Sequence, residues 1–241
     1  MIFVHNDSND AAFHFSVEEY FTRYAKKEKA VYMLWRTGKT VMLGSNQMLT
    51  SEVDLDYAKK ENIRIVRRSS GGGAIYTDPG TVLYTVIMPV SDDISAHREN
   101  TAAEIIKALG QIGITAERKG RNDILLDNKK ISGFAQYTSG NHVCTHGSLL
   151  YDTDLEALTN VLIPDENKLQ PKGISSVRSR VTNIKPFTGG AYSTDDFVAL
   201  LKDNLINSTD CSVYNFNDNE MQIIKQIYSE KYANDDWNYR M

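Results

Sequence analysis

Apolar positions recur along the chain at two spacings, one helical and one strand-like. Phe13, Val17, Tyr20, Phe21 and Tyr24 fall at i, i+4, i+7, i+8 and i+11, which predicts a helix over residues 10–26 with one apolar face. Two β-rich runs follow, Val31 to Trp35 and Thr40 to Leu43. The Thr37-Gly38-Lys39 turn between them predicts a hairpin. Residues 52–61 read as helix and Ile63 to Val66 as strand. After a glycine loop, Ala74-Ile75-Tyr76 looks extended and Thr81 to Met88 is a long β-rich run. A helix is predicted over 101–110, with Thr101 and Glu104 as its capping box and Gly110 as its stop. Ile124 to Leu126 and Lys130 to Phe134 read as strands joined at Asp127-Asn128, and Val143 to Tyr151 as another strand. Asp152 or Thr153 then caps a short helix carrying Leu155 and Leu158. Residues 164–186 break the pattern. They hold Lys168, Lys172, Arg178, Arg180 and Lys185 against Asp165 and Glu166, with three prolines, and predict a long, basic, mobile loop of functional kind. Helices near 194–206 and 217–230 close the chain. Hairpins mixed with helices, without a regular βαβ alternation, predict an α+β fold.

Composition narrows the class. In 241 residues, 41% are apolar and 24% charged, enough for a packed core and unlike a disordered chain. The net charge of −4 argues against a surface that grips nucleic acid throughout, but leaves room for a local basic pocket. Cys144 and Cys211 are the two cysteines, too few for a disulfide framework or a four-thiolate zinc site. No run is long enough for a signal peptide or a membrane span. A soluble, cytoplasmic protein with one main domain over 1–241 is the expectation.

Candidate chemistry concentrates in two segments. In residues 63–80 a strand runs into Arg67-Arg68-Ser69-Ser70-Gly71-Gly72-Gly73. Consecutive glycines let backbone N–H groups approach a ligand and permit positive φ, and arginines beside them suit phosphate or carboxylate. The plainer alternative is a flexible turn with surface arginines. The segment is neither a Walker A loop nor a dinucleotide fingerprint. In residues 120–136, Lys130 precedes Ile131-Ser132-Gly133, small residues that leave room for a ligand, although most lysines are simply solvated.

Several separated motifs together resemble the lipoate–protein ligases. They are Arg67 to Ala74, Asn122-Asp123 with Lys129 to Gln136, His146-Gly147-Ser148-Leu149-Leu150, the run Leu169 to Asn183, and Asp236-Trp237-Asn238-Tyr239. The resemblance implies a mixed, mostly antiparallel sheet flanked by helices, as in biotin ligases and class II synthetases. It implies a two-step reaction in which lipoate, or octanoate, and ATP form an acyl-adenylate that then acylates a lysine of an acceptor. The acceptor is a lipoyl domain of the glycine-cleavage H protein type or the 2-oxoacid dehydrogenase E2 type. By the same carry-over Lys130 is the catalytic lysine. Arg68, Gly71, Gly72, Gly73, Ala74, Ile75, Tyr76 and Asn122 contact ATP, with Lys172, Val177 and Ser179 from the basic loop. Trp35, Ser69, Ser70 and His146 serve the lipoyl group. Asp123 is the best-placed carboxylate for Mg²⁺, which normally balances a leaving pyrophosphate.

Against the family pattern, Thr77, Thr81 and Ser45 replace the usual His, Asn and Arg, and these 241 residues are expected to hold the catalytic domain without the smaller C-terminal domain of many members. The resemblance therefore also allows a separate accessory subunit. Cys144 lies two residues before His146, on the same face of a strand. This keeps an ATP-independent acyl transferase with a Cys144 nucleophile as an alternative. A degenerate protein that binds lipoate or the acceptor without turnover is another. No nucleic acid and no membrane is expected as a partner.

Overall fold

The structure is a computed structural model that describes residues 1–25, 27–91, 93–164, 180–206 and 211–240. The first helix, α1 (Ala11–Arg23), starts where Asp10 accepts a hydrogen bond from the Ala12 N–H at 2.9 Å, a side-chain N-cap. Its apolar face lies on a sheet of eight strands in the order β11-β1-β2-β6-β10-β9-β8-β7. These are β1 (Ile2–Val4), β2 (Val31–Trp35), β6 (Thr81–Pro89), β7 (Glu117–Lys119), β8 (Asp123–Leu126), β9 (Lys129–Ser139), β10 (His142–Leu150) and β11 (Ser212–Tyr214). Among the described strands of this sheet, β1 pairs in parallel with β2 and β11, and the other strand pairs are antiparallel. A smaller sheet holds β4 (Arg64–Arg67), β3 (Thr40–Leu43) and β5 (Ile75–Thr77), in that order. The expected α+β fold, with a mostly antiparallel sheet flanked by helices, is what the chain forms.

Strand β6 shows how the large sheet separates two cores. Val82, Tyr84 and Val86 pack on one face with Ile105 and Leu109 of α4 (Ile94–Gln111) and Phe197 of α6 (Thr194–Ile206). Leu83 and Ile87 face the other way, toward Phe15 and Phe21 of α1 and Ile224 of α7 (Asp218–Ile227). This is the period-two alternation of a central strand with both faces covered. A third core joins Val41 and Leu43 of the small sheet to Leu158 of α5 (Leu155–Val161). No helix among the described residues is long and apolar enough to cross a membrane.

Three local expectations are corrected. The hairpin at residues 37–39 does not form, because β2 pairs with β6 while β3 pairs with β4 and β5 of the other sheet. Every residue of β2 and β3 is buried, so each needs cover on both faces, which a two-stranded hairpin does not supply. The helix expected at 101–110 starts at Ile94, capped by Asp93 accepting from the Ala96 N–H at 3.0 Å. Its first turns are mostly exposed, which hides them from a hydrophobic-periodicity reading, and Thr101 instead donates to the His97 carbonyl at 2.8 Å. The residue capping α5 is Asp154, since Thr153 bonds Thr81 and Asp152 pairs with Lys185. The two residues of the β8–β9 turn, Asp127 and Asn128, both have positive φ, 49° and 59°, as a tight two-residue hairpin requires.

Candidate active site

The glycine loop springs from the end of β4 and is built around the buried Arg68. Its Nε donates to Ser70 Oγ at 3.0 Å and its Nη1 to the Met42 carbonyl at 2.8 Å. Its Nη2 donates to the carbonyls of Gly71 and Gly73 at 2.9 and 2.8 Å. Arg68 thus shapes the loop from within and brings a positive charge to its inner side. Desolvation pulls its pKa down to about 10, against the supporting charges of Glu52 and Glu18. The guanidinium stays charged at neutral pH. Gly72 has a φ of 94°, which a glycine accommodates without strain. A Cβ at Gly44 would sit 1.8 Å from the Gly72 carbonyl oxygen, so that close approach also needs glycine.

Arg67 points elsewhere. Its side chain donates to the carbonyls of Gly44, Gln47, Trp237 and Arg240 at 3.1, 2.7, 3.1 and 2.8 Å. It joins the turn after β3 to the C-terminal segment and meets no cleft. Of the paired arginines, then, only Arg68 belongs to the site.

Lys130 is aimed by a β-bulge. The β8–β9 register places Ser132 opposite Ile124 but Lys130 opposite Leu125, leaving Ile131 as the extra residue. A bulge re-aims side chains, and here it puts Lys130 on the same side as Gly133. A Cβ on Gly133 would lie 2.7 Å from Lys130 Nζ, so the small residue makes space for the lysine rather than for a ligand. The ammonium meets Asp123 Oδ1 at 2.7 Å, and Arg180 Nη2 meets Asp123 Oδ2 at 2.7 Å. Burial pushes the Asp123 carboxyl up, but Lys130 and Arg180 outweigh it and hold the group below the usual carboxylate range.

These elements enclose a cleft of about 640 Å³, a size suited to a small-molecule site. Its lining includes apolar side chains from Phe15, Trp35, Met42, Ile75 and Leu83, and polar groups from Arg68, the glycine loop, Asn122, Asp123, Lys130, Arg180 and His146. Trp35 stacks on His14 at 4.5 Å between ring centroids and donates from Nε1 to Thr85 Oγ1 at 3.0 Å. It is both core and cleft wall. Asn122 donates from Nδ2 to the Phe134 carbonyl at 3.0 Å. Ser69 and Ser70 do not line the cleft. Ser69 Oγ meets Tyr232 Oη at 2.6 Å, and Ser70 is buried against His146. Leu162, Ile163 and Pro164 on one side and Arg180 and Val181 on the other reach the rim. Lys172, Val177 and Ser179, expected to contact nucleotide, lie outside the described residues.

Sequence reasoning missed Glu18, Thr85 and Glu52. Glu18 is buried under the sheet, accepts from His146 Nδ1 at 2.9 Å and from Thr85 Oγ1 at 2.6 Å. The available signal was an acid beside Phe15 and Val17 in a helix that is apolar there. Glu52 accepts from the Ala74 N–H at 2.8 Å and pins the far end of the glycine loop.

Among the described residues, Asp123 and Glu52 are the carboxylates on the cleft. A Mg²⁺ ion needs only one or two protein oxygens when it arrives with phosphates. The donor set fits such an ion, with Asp123 offering an oxygen as a cation partner withdraws. Glu18, Cys144 and His146 also bring potential ligand atoms within 4.8 Å of one another, but both ring nitrogens of His146 are already hydrogen-bonded within the protein. Cys144 is fully buried and off the cleft wall. Desolvation, and then the Glu18 carboxylate, push its thiol well above the ordinary range, so it is not a poised nucleophile.

A sequence profile for the lipoyl protein ligase A/B catalytic domain matches residues 10–206. The chain belongs to this family of lipoate ligases. It is 33% identical over 243 residues to lipoate-protein ligase LplJ of Bacillus subtilis, covering 99% of this chain and 73% of the relative. It superposes with a TM-score of 0.84 at 27% identity on a bipartite lipoate protein ligase of Thermoplasma acidophilum, studied with its E2 lipoyl domain, covering 98% and 95% of the two chains. A lipoate-protein ligase A bound with ATP superposes at 0.83 with 25% identity, covering 98% and 97%. Within this ligase framework, the three substituted positions, Thr77, Thr81 and Ser45, are not among the residues that line the cleft. Thr77 meets Thr37 at 2.8 Å and Thr81 meets Thr153 at 2.8 Å, both buried. Ser45 receives Arg240 at its carbonyl at 2.6 Å.

Proposed function

We propose that the cleft joins lipoate, or the shorter octanoate, to a lysine of an acceptor protein through an acyl-adenylate. The observation that supports it most directly is the placing of Lys130. Its ammonium sits on a cleft that is also lined by the glycine loop and by the apolar side chains of Phe15, Trp35 and Met42. In the first step a carboxylate oxygen of the acid attacks the α-phosphorus of ATP and pyrophosphate leaves. Two anions must meet, and Lys130 offsets their repulsion and the charge that develops in the transition state. The glycine loop, held by Arg68 and Glu52, offers backbone N–H groups to the phosphates. The slot walled by Trp35, Phe15 and Met42 takes the apolar chain and fixes the carboxylate in range. Bound Mg²⁺, with Asp123 as its protein ligand, would neutralise charge on the leaving pyrophosphate. In the second step the ε-amine of the acceptor lysine attacks the acyl carbonyl, AMP leaves and the amine loses a proton. The acceptor is a lipoyl domain of the H protein or E2 type, met in the cytoplasm, with an accessory subunit completing the system where one is present.

The test is pyrophosphate release with ATP, Mg²⁺ and lipoate, for the parent chain, Lys130→Ala and Cys144→Ser. Release that needs lipoate, vanishes in Lys130→Ala and persists within about twofold in Cys144→Ser is expected, since a buried protonated thiol takes no part in catalysis. Loss of acyl transfer in Cys144→Ser, with transfer from an acylated donor in the absence of ATP, would establish the transferase instead. A parent chain that releases nothing but transfers from pre-made lipoyl-adenylate to an acceptor would point to adenylation that needs the accessory subunit, and one that binds both substrates yet does neither would mark a non-catalytic binder.

A further inference from the structure

Hydrogen bonds that start from two cleft-lining residues, Trp35 and Arg68, converge on one buried carboxylate that does not line it. Indole Nε1 and the arginine Nε can only donate, so the outer bond of each arm has a fixed direction. Trp35 Nε1 donates to Thr85 Oγ1 at 3.0 Å, and the Thr85 hydroxyl then donates to Glu18 Oε1 at 2.6 Å. On the other side Arg68 Nε donates to Ser70 Oγ at 3.0 Å, and Ser70 Oγ shares a hydrogen bond with His146 Nε2 at 2.6 Å. His146 Nδ1 in turn meets the Glu18 carboxylate at 2.9 Å. Both arms therefore end on Glu18. A carboxylate has two oxygens that accept hydrogen bonds, so one side chain can hold the ends of both arms. Glu18, Thr85 and Ser70 are all at or below 1% exposure, where an unmade hydrogen bond is costly.

The outer ends of the arms are the two functional walls. Arg68 holds the Gly71 and Gly73 carbonyls, and hence the glycine loop. Trp35 walls the apolar slot. Among its hydrogen bonds with described residues Arg68 meets no carboxylate, and Ser70 and His146 link it by hydrogen bonds to Glu18. We propose that Glu18 is a positioning residue that sets the nucleotide loop and the acyl slot together, one through His146, Ser70 and Arg68, the other through Thr85 and Trp35. The serine, histidine and glutamate stand in the order of a hydrolase triad, but Ser70 is buried off the cleft and already accepts from Arg68, so it is a relay and not a nucleophile. The assignment of ligands to the two walls rests on the ligase reading; the relay itself does not.

The experiment measures ATP and lipoate affinities separately by calorimetry for Ser70→Ala, Thr85→Val, Glu18→Gln and the Glu18→Gln/Ser70→Ala double variant. Loss of one buried link is expected to weaken binding at its own wall by about tenfold. Ser70→Ala should therefore weaken ATP alone, Thr85→Val lipoate alone, and Glu18→Gln both. The double variant should bind ATP no more weakly than Glu18→Gln, because one arm is cut twice. Multiplying effects in the double variant, or a Glu18→Gln defect confined to one ligand, would overturn the relay. Amide exchange gives a ligand-free readout. Glu18→Gln should speed exchange both at the glycine loop and at the Trp35 indole N–H, while the Trp237 indole, bonded to the Arg67 carbonyl at 2.8 Å, stays unchanged. If the parent chain binds neither ligand, the substrate reading fails and exchange alone decides: acceleration at both probes upholds the relay, and acceleration at neither or at only one refutes it.

Discussion

Gly133→Ala is the sharpest test of how Lys130 is placed. The added Cβ would lie 2.7 Å from Lys130 Nζ and 2.9 Å from Cε. Reaching an ordinary contact of about 3.4 Å needs about 0.7 Å of movement by the ammonium, the cheap end of a flexible side chain. That movement starts from a 2.7 Å ion pair with Asp123 and displaces the charge from the meeting point of the two substrates. The positive-φ set does not include Gly133, so alanine fits the backbone and reduces the entropy of the unfolded chain. Stability should stay within about 1 kcal/mol of the parent, a change of at most about 4 °C in melting temperature for a chain of this size. The rate should fall far more, because misplacing a reacting group by about 1 Å costs on the order of a hundredfold. The assay is lipoate-dependent pyrophosphate release with a parallel thermal melt. A parent-like kcat with a parent-like melt would refute the idea that Gly133 exists to seat the lysine. An activity loss matched by a collapse of the melt would refute the claim that the damage is local.

Two further outcomes test the buried polar framework. His14 stacks on Trp35 and donates from Nε2 to the Ser8 carbonyl at 2.7 Å, while its Nδ1 is buried without a partner. Desolvation pulls its pKa down to about 4, so the unfolded chain binds more protons than the folded one between about pH 6.5 and 4. Its contribution is complete above about 6.5 and declines as pH falls toward 4, by up to about 3 kcal/mol; urea midpoints for His14→Gln should show a flatter acid limb than the parent, and equal slopes would contradict this. Arg67→Met should lower stability by about 2–4 kcal/mol, because it strips donors from the carbonyls of Gly44, Gln47, Trp237 and Arg240. Its ATP affinity, measured below the melting transition, should stay within about twofold, and a large loss of affinity at full folding would place Arg67 in the site after all.

The helix at 11–23, the long strands around residues 81–89 and 142–150, and the β8–β9 turn were legible because local rules decide them. An apolar face recurs at helical spacing, β-branched residues cluster, and Asp127-Asn128 suits positive φ. The glycine loop and Lys130 also stood out, since neighbouring residue types carry that chemistry. Tertiary structure decided what depends on partners distant in sequence. The β2 and β3 runs look like a hairpin locally, yet their burial on both faces sends them to different sheets. Arg67 and Arg68 are adjacent and chemically alike, but strand alternation turns one toward the C-terminal segment and the other into the loop. Glu18 reads as one acid in an amphipathic helix. Only the packing of α1 on β6 and β10 brings Thr85 and His146 to it, across 67 and 128 positions of sequence. Sequence by itself determined the elements and the reactive groups, because propensity, periodicity and side-chain chemistry act over a few residues. Their pairing, their burial and the direction of their hydrogen bonds were set by the folded chain, because those depend on which surfaces exclude water together.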